Sequence, residues 1–436
     1  MANKKMKLLV DHGAYGNLGD TAMIEGVVLR LKSILPEAEI FVVDSQSLKT
    51  VIWDFPGVFR QKEYNEYIVK SFFMNIFAGV PFFRRYRNCW RKVSRKITLW
   101  SLGRFFPAGS LSIANYSKTE NKSIKLSEFC EQFDALHIVG GGNLTDTFLE
   151  ELFKKSCLLL TFAEQDKPIV LTGQQIGPFK SNILKKALCR VLRKSNFVGL
   201  REPIDSLSFC QKAHIDAKQF EVMGDDSFGL SPADDELILN LLDQYGLKEN
   251  EFLAFNVRIA FYALEQKRHL QQIAVILDKI GIYFQMPIVI VPIALNPGDS
   301  DIVSGKELAK LVRSAQILVM ENNNLTPGLV KGILGKAFGV VGVSYHFCTF
   351  ALSQGVPAVC IHDGDYYLQK ARGLCGFWKD GRLALPLNET STNQAVNHIV
   401  QLFEDGVFRE KLSLEAKKSK ELWYNIFDKQ VKSYFS

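Results

Sequence analysis

Lys7-Leu-Leu-Val-Asp-His-Gly-Ala-Tyr-Gly-Asn-Leu-Gly-Asp20 runs from a short apolar segment, Lys7 to Val10, into a glycine-rich turn, His12 to Asp20. Beyond it, Ala22, Ile24, Val27, Val28, Leu31, Ile34 and Leu35 recur at helical spacing until Pro36 closes the pattern. Residues 39–44 then return to a strand-like run. Strand, turn, helix and strand in that order begin a doubly wound α/β sheet.

The alternation recurs downstream. Apolar runs at 135–139, 168–171, 197–200 and 220–222 end in Gly140-Gly-Gly142, Gly173, Arg201 and Gly224-Asp225, respectively. Strands that deliver glycine or a charged side chain at their C-terminal ends predict a ligand site along that edge, where open α/β sheets bind. Residues 231–250 are polar and acidic and read as a linker. A second series of strands follows at 252–257, 288–292, 317–320, 339–341 and 358–361, and 392–435 reads as two amphipathic helices. The expected organisation is an N-terminal Rossmann-like domain over 1–230 with an insertion at about 67–119, a C-terminal Rossmann-like domain over 231–391, and terminal helices over 392–436. The two domains are expected to face a cleft.

Of the 436 residues, 47% are hydrophobic and 23% charged, a globular balance that excludes a disordered or fibrous chain. No run reaches the ~18 apolar residues of a membrane span. The first apolar run is too short for a signal peptide, so the expected location is cytoplasmic. Eight cysteines are scattered with no CxxC pair and no zinc spacing, which argues against a structural metal or a disulfide framework. The net charge of +7 is local. Lys70, Arg84, Arg85, Arg87, Arg91, Lys92, Arg95, Lys96, Arg104 and Lys118 lie between Tyr67 and Thr119 with no acid among them, so the rest of the chain carries 7 − 10 = −3. Between Phe72 and Phe106 this segment is also rich in Phe and Trp. It reads as a solvated helical face, or as a peripheral membrane-surface element in which cations meet anionic head groups and aromatics enter the interface. No accompanying motif supports nucleic acid as a partner.

Singly, the motifs are ambiguous. Asn17-Leu-Gly-Asp20 is a turn entering a helix with Asp20 as a plain cap, and Gly140-Gly-Gly142 offers backbone amides to an anion. The ordered set is more specific: Asn17-Leu-Gly-Asp20, Gly140-Gly-Gly-Asn143, Gly173-Gln-Gln-Ile-Gly-Pro178, Leu200-Arg201-Glu202 with Ser206, Gly224-Asp225-Asp226, and His346 followed by Phe350-Ala-Leu-Ser-Gln-Gly-Val-Pro357. From about Lys7 to Phe377 this series resembles the polysaccharide pyruvyl transferase family. The resemblance implies a two-domain fold similar to the GT-B glycosyltransferases. It also implies transfer of a pyruvyl group from phosphoenolpyruvate to a sugar of a bacterial surface polysaccharide or its lipid-linked precursor, with no metal or cofactor.

Phosphoenolpyruvate carries a phosphate and a carboxylate, which call for Arg or Lys donors, glycine-rich amides or helix N-termini. Ketal formation also needs an acid/base group of near-neutral pKa, a role suited to histidine. The resemblance implies that His346 is catalytic and that Arg201, Asn17, Gly19, Asp20, Gly141, Gly142 and Asn143 meet the donor. Relatives often read Arg-Leu-His where this chain has Ser344-Tyr345-His346, and a lysine commonly found about 20 residues later is not in register. Arg258, Lys370 and Arg372 are the cations expected to substitute. Among other histidines, His12 lies in the first turn facing the cleft, His137 reads as core, and His362 ends a strand where it can replace a lost cation. Two alternatives stand beside this function: a GT-B-like transferase with another donor such as a nucleotide sugar, and a non-catalytic glycan-binding relative.

Overall fold

The structure is a computed structural model that describes residues 5–11, 17–43, 58–61, 87–101, 104, 107–114, 123–258, 267–295, 300–322 and 324–436. His12 and much of the basic segment, including 72–86, 105 and 106, lie outside the described residues.

Two parallel sheets carry the fold. The first runs in the order Phe220–Val222, Phe197–Leu200, Ile169–Ile176, Ala135–Ile138, Lys7–Asp11, Glu39–Val43, Val58–Gln61, with Gly141–Leu144 added beside the end of Ile169–Ile176. The second runs Ile317–Val319, Ile288–Ile290, Leu253–Asn256, Gly339–Gly342, Ala358–His362, Ala384–Pro386. Counted within itself, the second sheet has the 3-2-1-4-5-6 order of a doubly wound fold, and the first has the same order extended by one strand. Each strand entry predicted from apolar runs is found. The central strands of each sheet are buried on both faces, so they read as continuous apolar runs, whereas the edge strands Phe220–Val222 and Ile317–Val319 stay partly exposed.

Successive residues of a strand point to opposite faces. Leu8 and Val10 enter a core shared with the second sheet, whereas Leu9 joins a separate core with Leu136, Phe162 and Leu171 on the other face. Residues 231–250 are more than a linker. They contain the helix Asp235–Gln244, which buries Ile238, Leu241 and Leu242 at an i, i+3, i+4 spacing. Its polar face masks that stripe in composition.

The two terminal helices are Thr392–Glu404 and Gly406–Phe435. The longer one returns to the first sheet. Trp423, fully buried, donates to Asp226 at 2.9 Å, Arg30 makes a forked ion pair with Asp428, and Phe427 and Phe435 pack on His137. No helix among the described residues is long and apolar enough to cross a membrane.

Candidate active site

In an open α/β sheet, ligands bind beyond the strand ends where the strand order reverses. Here that point lies beyond Lys7–Asp11 and Ala135–Ile138 in one sheet, and beyond Leu253–Asn256 and Gly339–Gly342 in the other. The two points face one another. The turn entering the first helix touches the second sheet directly: Leu18 donates to the Ile293 carbonyl at 2.7 Å, and Asn17 bridges Ala294.

Four charged groups converge from four elements. Asp20 sits in the first turn of Leu18–Ile34, Arg201 follows Phe197–Leu200, Arg258 follows Leu253–Asn256, and Lys370 projects from Asp365–Trp378. Arg201 is 1% exposed. Its Nε lies 2.9 Å from Asp225, its guanidinium stacks 4.5 Å from the Tyr345 ring centroid, and Nη1 reaches Gln175 at 3.4 Å. Asp225 is completely buried. Burial opposes its charge, but Arg201, then His346 and the bonds from Ser227, hold the carboxyl below the usual range.

Asp20 and Lys370 are tuned towards neutrality. Burial raises Asp20 to about 6, while Lys370, Arg201 and Arg258 oppose that rise and Asp225 adds to it. Burial lowers Lys370 to about 7, with Arg201 pushing the same way and Asp20 pulling back. The Lys370 ammonium sits 4.3 Å from the Tyr366 ring centroid. Tyr366 occupies the position 20 residues after His346, and Lys370 comes one helical turn later on the same helix face, which explains how a lysine out of register still enters the site.

His346 begins the helix Tyr345–Leu352 just past Gly339–Gly342, with Nε2 3.7 Å from Asp225. Its pKa departs from the near-neutral value expected. Burial lowers it to about 3, Asp225 resists, and Arg201 and Lys370 add to the fall, so the imidazole is neutral. The near-neutral groups are Asp20 and Lys370 instead.

Several motif residues hold the site rather than line it. Asn17, and not Asp20, caps the first helix by accepting the Gly19 amide at 2.9 Å, which leaves the Asp20 carboxyl for the cleft. Gly19 makes room for His346: a Cβ there would stand 2.3 Å from the imidazole ring. The Gly140 amide does meet an anion, but it is the protein's own Asp226 at 2.7 Å. Asp226 also accepts from Thr172 and Trp423, and a Cβ on Gly173 (φ +56°) would strike it. Gly141 lies against Asn143, whereas Gly142 faces Tyr366, Lys370 and Gln175 across the cleft. In Arg201-Glu202, only the arginine enters the site. Glu202 caps the next helix through the amides of Ile204, Asp205 and Ser206, and the Ser206 hydroxyl accepts the Ile176 amide.

Arg372 is not part of the cluster. Its side chain is 55% exposed and lies 3.7 Å from Asp205 on the other face of its helix. His362 is buried at the end of Ala358–His362, with Glu389 and Asp363 as its charged neighbours, so it does not replace the missing cation. His137 is core: its Nε2 is 3.0 Å from the Thr172 hydroxyl, and burial lowers its pKa to about 3. Sequence reasoning assigned no role to Asp225, Gln175, Tyr345 or Tyr366. Three of them sat inside or beside quoted motifs, and Tyr366 was visible only as the i−4 neighbour of Lys370.

Solved structures of similar architecture agree with this geometry. Over 98% of this chain and all of the other, the structure resembles UDP-GlcNAc 2-epimerase from Neisseria meningitidis at 12% identity and a TM-score of 0.58. A UDP-N-acetylglucosamine 2-epimerase from Rickettsia bellii matches over 99% of both chains at 10% identity and 0.52. The calicheamicin glycosyltransferase CalG4 matches over 99% of this chain and 98% of its own at 13% identity and 0.51. The fold is thus that of GT-B glycosyltransferases and epimerases. A search of curated proteins finds no match. The family model for polysaccharide pyruvyl transferase matches residues 17–362, which span the first helix cap, the arginine and aspartate motifs and the cleft histidine. By that match the chain is an enzyme of the polysaccharide pyruvyl transferase family.

Proposed function

We propose that the cleft binds phosphoenolpyruvate and transfers its pyruvyl group, as a ketal, to a sugar of a surface polysaccharide or its lipid-linked precursor. The observation that carries this reading is the convergence of Arg201, Arg258 and Lys370 around Asp20 beside His346. Three cations suit a donor that carries both a phosphate and a carboxylate.

The arrangement divides the chemistry. An anionic donor raises the proton affinity of both Asp20 and Lys370, because a nearby negative charge favours the protonated form of each. Protonated Asp20 then serves as the acid that delivers a proton to C3 of the donor. Neutral His346 accepts the proton of the sugar hydroxyl as its oxygen attacks C2, and Asp225 stabilises the imidazolium that forms. The C2–O bond to phosphate then breaks, and the phosphate leaves towards Arg201, Arg258 and charged Lys370, taking the proton held on His346. The second hydroxyl adds to C2 to close the ketal, and its proton returns to the Asp20 carboxylate.

The test is a melting comparison of phosphoenolpyruvate with a panel of nucleotide sugars, joined to an assay of phosphate release. A ligand at 100 times its Kd adds ~2.7 kcal/mol of stability. Protection by a nucleotide sugar alone would reassign the donor. Absence of protection by any donor, with no turnover, would point to a non-catalytic glycan-binding protein.

A peripheral membrane site also belongs to this reading. On the helix Arg87–Ser101, Val93, Ile97 and Trp100 are exposed at i, i+4 and i+7, while Thr98 and Leu99 are buried. Exposed Lys92 and Arg104 flank that stripe. A cation near an anionic bilayer contributes ~1 kcal/mol, and the exposed aromatic adds interfacial burial. Co-sedimentation with anionic liposomes at low salt, abolished by K92E with W100A, is the expected result; failure of the wild-type protein to sediment would remove the membrane from this reading.

A further inference from the structure

A second cavity, of about 310 Å³, lies on the far side of the helix Asp365–Trp378 from the cleft. At 3.6 residues per turn, Tyr366 and Lys370 face the cleft and Leu368 and Arg372 face the cavity, on opposite sides of one helix. The other walls come from the first sheet's half of the molecule: Ile176 to Phe179 past the strand end, and the helices Asn182–Leu192 and Asp205–Lys212. Its volume is at the lower end of the range for small-molecule sites, and like many such sites it lies between two halves of a fold.

The lining is chemically divided. Lys185, Lys212 and Arg372 enter from three different helices against one carboxylate, Asp205. Arg372 lies 3.7 Å from that carboxylate and Lys212 acts on it through space, while among the described residues the ammonium groups of Lys185 and Lys212 form no ion pair or hydrogen bond. The surplus is two positive charges. Opposite them stand Phe179 and Phe209, whose rings are 5.8 Å apart, and Leu368, which is 41% exposed. Cations gathered from three directions around an apolar wall suit an anion with several acceptor oxygens attached to an apolar stem.

The cavity adjoins the cleft. Gln175 faces the cleft beside Gly142, while the next two residues of the chain, Ile176 and Gly177, line the cavity. Gln369 closes the boundary by donating to the Ile176 carbonyl at 3.0 Å. A ligand held here therefore sits one strand end away from the reacting groups.

We propose that this cavity holds a phosphate or diphosphate ester, with the ester's stem against Phe179, Phe209 and Leu368, and that this ester is the anchor of the acceptor. That the ester belongs to the acceptor rests on the transferase reading above; that the cavity takes a phosphate ester does not. Its source is either a lipid-linked diphosphate or a soluble phosphate ester, and the two share the recognised group.

Calorimetric titration of the full-length chain with inorganic pyrophosphate and with farnesyl diphosphate tests the assignment without turnover. Both are expected to bind, more weakly as salt rises. The double reversal K185E/K212E is expected to weaken both by tenfold or more while leaving the phosphoenolpyruvate melting shift unchanged. The milder K185A, at a half-buried helix position, gives the same direction should the double variant fold poorly. Farnesyl diphosphate binding ten times tighter than pyrophosphate assigns a lipid-linked source, and equal affinities assign a soluble one. The proposal is overturned if neither compound binds, if K185A and K185E/K212E bind as the wild type does, or if phosphoenolpyruvate displaces pyrophosphate competitively. Should phosphoenolpyruvate give no shift while the diphosphates still respond to Lys185, the cavity stands and the donor reading falls.

Discussion

Lys370 and Arg372 are two residues apart on one helix, yet they lie in unlike surroundings. Lys370 shares a closed space with Arg201, Arg258, Asp20 and Tyr366, and burial lowers its pKa to about 7. Arg372 shares an open cavity with Lys185, Lys212 and Asp205, and more than half of its side chain meets water. The inner cluster holds charges against the cost of burial, so its members depend on one another, and Asp20 and Lys370 lie near neutrality, where protons move readily. The outer cavity holds charges that meet water and attract an anion from solvent. Proximity in sequence says little about which kind of cation a residue becomes; helix phase decides it.

The sharpest way to break this contrast is at His346. His346→Ala is expected to lower turnover by ~10²–10⁴, the usual contribution of a positioned acid/base, with the fold retained. Gly19→Ala should act in the same direction, because the added methyl would occupy the space of the imidazole ring. Wild-type turnover in both variants would remove the imidazole from the reaction and leave it structural.

Arg201→Ala comes next, and the structure revises its expected profile. Donor contact alone predicts a loss of ~1.5–3 kcal/mol in binding. The buried pair with Asp225 adds a folding cost, since removing one partner of such a pair typically destabilises by ~3–5 kcal/mol. Folding is therefore expected to suffer more than binding. Chemical denaturation of the variant, followed with and without phosphoenolpyruvate, separates the two losses. Full stability would mean that Asp225 finds another partner.

A smaller effect should appear with pH. Below about 7 Lys370 is protonated, and below about 6 Asp20 is neutral. As pH rises from 6 to 8, the site therefore loses a positive charge and gains a negative one, and both changes weaken affinity for an anion. The donor's own phosphate titrates as well, so the quantity to measure is the difference between wild type and Lys370→Met in Kd against pH. A difference that stays constant from pH 5.5 to 8 would show that Lys370 does not titrate in this range.

The least effect is expected at Arg372. Arg372→Ala should leave phosphoenolpyruvate binding unchanged and move stability by no more than ~0.5 kcal/mol, as surface substitutions usually do. A donor affinity that falls with Arg372→Ala would place both cations in one site and erase the contrast.

The fold was legible because the central strands are buried on both faces and so appear as unbroken apolar runs, closed by glycine or a charged residue at the functional edge. Position along the chain pointed to Arg201, Asp20 and His346. Their tuning was not legible. That His346 is neutral while Asp20 and Lys370 lie near neutrality depends on Arg201, Arg258 and Asp225, which come from strand ends remote in sequence. Nor could the motifs separate contact from support. Asn17 and Gly19 read like ligand residues and Glu202 shares a motif with one, but the first caps a helix, the second leaves space for a ring, and the third satisfies three amides. The helix at Asp235–Gln244 was hidden for a simpler reason, since a three-residue apolar stripe barely alters the composition of an acidic stretch.

Trp423 bonds Asp226, and Arg30 grips Asp428, so the last long helix completes the half of the molecule that was made first. On the ribosome, a nascent chain that has emerged through the first sheet still lacks the indole that occupies one of Asp226's three donor positions and the aromatic rings that cover His137. The second sheet waits for the same helix, whose Arg409 donates to the Phe338 carbonyl at 2.8 Å just ahead of Gly339–Gly342. Vectorial synthesis therefore leaves both sheets short of a brace until this helix has emerged.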